Sequence, residues 1–358
     1  MSRRRALNDL SAALQGRLDP DTDWMGLIEL ANRAFVTPAV FRALESSGAL
    51  AQAPEDAVTF MAEVASRNDA RNARLHATAV EAIGALNAAG IEPTLLKGYA
   101  VWASGSPPTS AFPRMMTDID LLVRPDEVAP AMEVMQGAGF GLLARFDDPN
   151  EHVIAEFGRP QDVGLIDLHQ RPNGPPSMAA IFSRKEHPVV EVWGVRARVP
   201  SPAYQLYLMC LHDQLHDGDY WRGGLDVRHM WDIAELARLP GGIGWDELDA
   251  ILPSRLLRNA MHAQLIAAHR IAGADIPARM RRRLGPRLQH RRHIAQHLHP
   301  RWGLVLAGVG ALLEGPNLLQ HRAVARKGTI PRSGPPQRAV KVKAGQIKQI
   351  MKPVTGKI

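Results

Sequence analysis

Cysteine is nearly missing: Cys210 is the one thiol in 358 residues. No internal disulfide can form, and a reducing, cytoplasmic setting is expected. Aromatic residues are sparse at 5%, and Arg322 to Ile358 contains none, which argues against sequence-specific single-strand binding there. Long apolar runs are also lacking. The longest uncharged one, Trp302 to Leu313, has 12 residues, whereas a membrane span needs about 20; it reads as a core helix in preference to an interfacial segment, and no transmembrane segment is expected. No apolar stretch follows Met1-Ser-Arg-Arg-Arg, so no secretory signal is read. Neither G-x-G-x-x-G nor G-x-x-x-x-G-K-[ST] occurs, nor a G-x-S-x-G elbow, which leaves Rossmann, P-loop and nucleophile-elbow sites without support. What remains is ordinary globular material, 46% hydrophobic and 22% charged.

The net charge of +7 is unevenly placed. Residues 1–275 carry 25 Lys+Arg against 35 Asp+Glu, and residues 276–358 carry 18 against 1. An Arg/His-rich stretch (Arg279 to Arg301) precedes a Lys-, Pro- and Gly-rich tail from Arg322 that has no acid at all. Such a tail is expected to be disordered and to hold a polyanion, or to dock on the acidic body of its own chain. Length alone points to two domains, or one domain with helical extensions.

Hydrophobic spacing divides the chain further. Residues 1–90 read as helices, with Leu75, Ala79, Ile83 and Leu86 on one face and a stop at Ala89-Gly90. From Ile91 short strands take over: Thr94-Leu95-Leu96, then Asp118 to Val123. A helix opens at Pro125 and ends near Gly137. His152–Phe157 and Val163–His169 form a strand pair, and Val189–Val199 turns at Gly194. Beyond Pro202 helices return, over Tyr204–Leu215, Leu225–Ala237 and from Trp245. The expected division is a helical region 1–90, an α/β core 91–200, a helical subdomain 201–321 and the basic tail 322–358.

The chemistry concentrates in Arg114-Met-Met-Thr117-Asp118-Ile-Asp120-Leu-Leu-Val. Side chains at i and i+2 of a strand share a face, so Asp118 and Asp120 project together while Ile119 and Leu121 face the other way. Two carboxylates held side by side repel unless a cation lies between them, and such hard oxygen ligands select Mg²⁺ or Mn²⁺. In Val163 to His169, Ile166 and Leu168 face the core and leave Asp167 and His169 opposite. If that strand lies beside the first, three carboxylates converge, enough for two metals about 3.5–4 Å apart. His169 would then orient a carboxylate or contact substrate.

The series LLKGYAVW (95–102), R-x-x-T-D-I-D-L-L-V (114–123), Gly137-x-Gly139-Phe140 and I-D-L-H (166–169) resembles the polymerase-β-like nucleotidyltransferase superfamily. Within it, the likeness is to the bacterial uncharacterised nucleotidyltransferases, related to the minimal and abortive-infection-type enzymes. The resemblance covers residues 91–170 and extends more weakly to Leu211-His212 and Trp231–Ala234. It implies an α+β fold with a small mixed-sheet core flanked by N- and C-terminal helical regions. It also implies metal-dependent transfer of a nucleoside monophosphate from an NTP, with ATP the expected donor, to a hydroxyl on a small molecule, an RNA or a protein. By that likeness Asp118, Asp120 and Asp167 bind the metals, and Asp167 acts as or positions the base. Lys97 and Gly98 stand at the phosphate loop, where the superfamily's commoner Gly-Ser is replaced by the Lys-Gly of the abortive-infection branch. There the glycine lets backbone N–H groups approach phosphate, and the lysine and helix dipole offset its charge. Arg114 reaches the same phosphates or pairs with a carboxylate, and Thr117 joins the nucleotide site.

Other signals count for less. His212 and His216 share a helical face that could line the acceptor pocket, with His212 the substrate contact; a zinc site is disfavoured because Asp213 replaces the Glu of H-E-x-x-H. Asp232 is expected to pair with Arg228 on its own helix. His290, His293, His297 and His299 lie among arginines, which disfavours metal ligation, and Cys210 reads as packing. The rival reading is a catalytically inactive scaffold of the same fold that docks a polyanion or protein through its tail.

Overall fold

The computed structural model describes residues 2–105, 112–146, 151–303, 305–308 and 356–358. Three helices open the chain, α1 (Arg3–Leu14), α2 (Trp24–Arg33) and α3 (Thr37–Ser47), followed by the 34-residue α4 (Glu55–Ala88). Glu55 and Asp56 complement the dipole at the start of α4. It stops where the periodicity does, with Gly90 in the left-handed region at φ +78°. Next come β1 (Thr94–Leu95), α5 (Lys97–Ser104), β2 (Asp118–Leu122) and, after a 3₁₀ turn at Pro125–Glu127, α6 (Val128–Gly137). Then β3 (Gly141–Arg145), β4 (Val153–Gly158) and β5 (Leu165–His169) are followed by α7 (Pro176–Ser183) and the hairpin β6 (Val189–Val192) and β7 (Val195–Arg198).

The seven strands form one mixed sheet, β3-β4-β5-β2-β1-β7-β6. Its centre is the parallel pair β2–β5, in which Asp120 lies opposite Asp167 and Leu122 opposite His169. Both strands are largely buried, so a one-residue slip would turn carboxylates into the core. Long-range polar bonds also fix β2. Asn72, buried in α4, donates from Nδ2 to the carbonyls of Phe112 and Arg114, both at 2.9 Å, and Asn68 donates to Phe112 at 3.1 Å. Gly164 admits β5 to this position, since a Cβ there would lie 2.5 Å from the Thr117 carbonyl oxygen.

The remaining helices are α8 (Pro202–Cys210), a π-helical turn (Leu211–His216), α9 (Asp219–Arg222), α10 (Val227–Arg238), α11 (Trp245–Ala250), α12 (Arg255–Ile271), α13 (Ala278–Arg281) and α14 (Leu284–Leu298). α12 packs against both α10 and α14, and α8 against α5. The larger of two apolar clusters among the described residues joins Leu10 of α1, Ile119 of β2, Tyr207 of α8 and Leu265 of α12. The chain is α+β, with helices flanking the sheet.

Two expectations change. Residues 211–216 form a π turn in place of α-helix, although the His212 and His216 rings still stack on each other, with centroids 5.8 Å apart. The described part of the Trp302–Leu313 run is not core: Trp302 and Val305 are exposed, because α14 buries its other face, lined by His290, His293 and His297. Most of the basic tail, and with it the expected disorder, lies outside the described residues. No helix among the described residues is long and apolar enough to cross a membrane.

Candidate active site

Acidic and basic groups meet where β2, β5 and the start of α5 converge. Asp120 is 2% exposed, and its Oδ1 accepts from Lys97 Nζ at 2.5 Å and from His169 Nε2 at 2.9 Å. Asp167, half-buried, faces the same space from β5, and ligand atoms of Asp120, Asp167 and His169 all lie within 4.8 Å of one another. Burial alone would raise the Asp120 carboxyl, but Lys97 and His169 hold it well below the usual carboxylate range. Asp167 has no such partner. Burial, then the charges of Asp120 and Asp118, push it up to about 7. A carboxylate pair this unequal is one in which a further positive charge would be welcome.

Asp118 stands half-exposed at the first position of β2, where Thr117 Oγ1 donates to its Oδ1 at 3.1 Å. It lies outside the tight group but close enough to raise Asp167 and to help hold the charge on Lys97. Only Asp118 of this pair is at the surface; Asp120 lies beneath it, contrary to the expectation of two acids at a strand end. Its two partners, Lys97 and His169, explain the burial: a carboxylate paired in this way tolerates desolvation that a lone one would not.

Lys97 opens α5 with φ +49°, in the left-handed region that non-glycine residues rarely adopt. Such backbone strain is held by surroundings and clusters at functional sites. Here the adjacent Leu96 N–H bonds the Asp120 carbonyl at 3.1 Å, tying the turn to β2. Gly98 also makes room for Arg114. A Cβ at 98 would lie 2.3 Å from Arg114 Nη1, so the guanidinium is seated on the glycine.

Arg114 follows the second of its two expected roles, pairing with a carboxylate, though with one outside the acidic group. It is buried, and its Nε donates to Asp232 Oδ2 of α10 at 2.7 Å. The guanidinium therefore clamps the Lys-Gly turn to the helical part rather than facing phosphate. Asp232 is accordingly not the partner of Arg228, which pairs with Asp226 at 3.1 Å. His169 is fully buried, which leaves it an orienting contact on Asp120 and removes it from the substrate surface. His212 lines a small cavity of about 30 Å³ together with Lys97, Asn173, Gln205, Met209 and His229. That cavity opens beside the acidic group.

Several polar residues were not legible beforehand. His152 packs between His169 and His216, tilted against the first and edge-on to the second, with ring centroids 5.4 Å from each. Burial and the neighbouring His169, His216 and Lys97 push it down to about 3. On the π turn, Asp213 accepts from His229 Nδ1 at 2.8 Å and from Gln264 Nε2 at 2.8 Å. Lys357 reaches Asp213 at 3.4 Å, Asp217 at 2.7 Å and Asp219. The Lys357 contacts join residues more than a hundred apart, and those of Asp213 and His152 also cross between elements, so no local spacing announces them.

Residues 20–273 match the model of the uncharacterised nucleotidyltransferase family. The chain belongs to that family. The match runs from just before α2 through α12 and so contains every residue of the acidic group and its clamp, while the basic stretch from 276 onward lies outside it. No curated protein matches the chain. Among solved structures, the solution structure of the antibiotic-resistance factor ANT(2'')-Ia covers 71% of this chain and 98% of that chain, at 13% identity and a TM-score of 0.28. A likeness that distant carries nothing about function.

Proposed function

We propose that this family member transfers a nucleoside monophosphate from an NTP, with ATP the expected donor, to a hydroxyl of an acceptor, releasing pyrophosphate. The observation that carries this reading is the pairing of Asp120 with Asp167 across β2–β5 beside an ammonium. Carboxylate oxygens are the donor set for Mg²⁺ or Mn²⁺, and Lys97 Nζ already sits on one of them as a cation, so the residues fit a divalent ion. Asp118, Asp120 and Asp167 would hold it. When bound, a divalent ion supplies Lewis-acid polarisation of phosphate and charge neutralisation of the leaving pyrophosphate.

The protein's own groups do the rest. His169 fixes the rotamer of Asp120 through its Nε2–H. Lys97 supplies the ammonium of the group, and we assign it to the phosphates once Asp120 is otherwise neutralised. Asp167, which faces the space beside Asp120 from β5, is placed to take the acceptor hydroxyl's proton as the oxygen attacks the α-phosphorus. Thr117 holds Asp118, and His212 is assigned to the acceptor side of the small cavity. Little covalent chemistry is asked of the protein, whose contribution is position and charge. The unit responsible would be residues 91–200, with 201–321 supplying the clamp and the acceptor wall.

Isothermal titration with each NTP, with and without Mg²⁺, tests the reading. Metal-linked nucleotide binding that Asp120→Asn abolishes is the expected result. Nucleotide binding indifferent to metal and to this substitution would favour the inactive scaffold instead.

A further inference from the structure

A second feature lies mostly beyond the family match, on α14, and away from the acidic group. α14 buries Pro286, Gln289, His290, His293, Gln296 and His297 against the body and leaves the opposite stripe in solvent. That stripe reads Leu284, Arg287, Leu288, Arg291, at spacings of three, one and three, which fall on one helical face. Leu284 is 70% exposed and Leu288 51%. The chain then turns back along α14, tied by Gln296 Nε2 to the Gly303 carbonyl at 3.1 Å and Arg292 Nη1 to the Leu306 carbonyl at 3.4 Å. On this return Trp302 is 62% and Val305 54% exposed. Four large apolar side chains in solvent on one local substructure exceed the scattered exposure that a surface normally carries.

Beside the stripe lies a concavity of about 290 Å³ lined by Arg270, Arg281, Arg282, Arg287 and His269. Arg281 is held in place, with Nε donating to the Ile276 carbonyl at 2.8 Å and Nη1 to His269 Nε2 at 3.0 Å. His269 Nδ1 in turn donates to the Ala274 carbonyl at 2.8 Å, so its ring is oriented. No carboxylate lines the hollow. Among the described residues Arg270, Arg282 and Arg287 have no acidic partner, and from Ile276 to Leu313 the sequence contains no acid.

We propose that this face docks the protein on an anionic phospholipid surface. Phosphate headgroups would enter the arginine hollow, and Leu284, Leu288, Trp302 and Val305 would sit at the headgroup–acyl boundary. Apolar residues interleaved with arginines on one face are the pattern of an interfacial helix, and a basic pocket is a headgroup site. The chain's own remaining segment is a poor occupant of the arginine hollow, because residues 315–355 are basic and without acid and Glu314 is the one anion in the short apolar stretch 309–314. A nucleic-acid backbone would satisfy the arginines but leave the four apolar side chains unaccounted for.

Co-sedimentation of the full chain with vesicles tests the assignment. Binding to an equal mixture of phosphatidylglycerol and phosphatidylcholine is expected, with little binding to phosphatidylcholine alone and weakening as salt rises. Leu284→Ser/Leu288→Ser/Trp302→Ser should weaken partitioning roughly tenfold or more at unchanged charge, through lost apolar burial. Arg282→Gln/Arg287→Gln should reduce it toward the phosphatidylcholine level. All five positions are exposed, so thermal melts of the variants should match the parent. Three results would overturn the proposal: vesicle binding untouched by both variants, tight binding of an RNA hairpin that survives the serine variant, or binding of inorganic phosphate without vesicle binding. None depends on nucleotidyl transfer, so the two readings stand or fall separately.

Discussion

At the residue scale the decisive contacts are buried and charged. Arg114 and Asp232 exclude water from each other, and breaking such a pair from one side leaves an ion without its counterpart. Arg114→Met is expected to destabilise by about 3–5 kcal/mol, and Arg114→Met/Asp232→Leu by clearly less than the two single changes added together, measured by urea denaturation. Equal additivity would mean the pair is not coupled. The sequence announced the arginine's presence and not its partner, because α10 begins more than a hundred residues later and only the fold brings it over Gly98. His169 carries a second prediction. As the residue that orients Asp120, its change to Asn should weaken Mn²⁺ binding by about 10–100-fold while leaving KM for the acceptor unmoved; a change confined to KM would return His169 to the substrate surface.

At the element scale the central strands and the hairpin β6–β7 were legible, and the edge strand β3 was not. β2 and β5 are near-continuous apolar runs interrupted by acids, a pattern that hydrophobicity alone reveals. β3 was invisible because Gly141–Arg145 is an edge strand with an exposed face, and its pairing with β4 rather than its composition makes it a strand. The π turn was unreadable for a similar reason: its local sequence is helical, and Asp213 is drawn inward by His229 and Gln264 from two other helices. α14 gives a testable pH dependence. Burial, and after it nearby arginines, push His290 to about 4, His293 to about 3 and His297 to about 4. The unfolded value is about 6.5, so between these limits the unfolded chain binds more protons. Stability is thus fully present above about pH 6.5 and is lost as the pH falls toward 4, by about 2 kcal/mol at pH 5 for one such histidine. Denaturation midpoints between pH 7.5 and 4.5 should fall, and less steeply in His293→Gln; a flat profile would contradict the assignment.

Across the whole molecule, the larger apolar cluster joins the sheet to the helices on both sides, and the acidic group lies where the two kinds of structure meet. The α+β class followed from the order of periodicities, helical, then strand-like, then helical again. The charge asymmetry was equally plain from composition, since it needs no folding to be counted. What composition could not supply was the face of α14 that carries it, which depends on three histidines turning inward. The central claim, that Asp120 and Asp167 together hold a catalytic cation, is met most directly by pyrophosphate release from NTP with Mg²⁺ or Mn²⁺. Asp120→Asn and Asp167→Asn, each with a melting curve to verify the fold, should each lower the rate on the order of 10³-fold, the equivalent of several kcal/mol of lost charge stabilisation. A folded variant of either kind that turns over at the parent rate would contradict it.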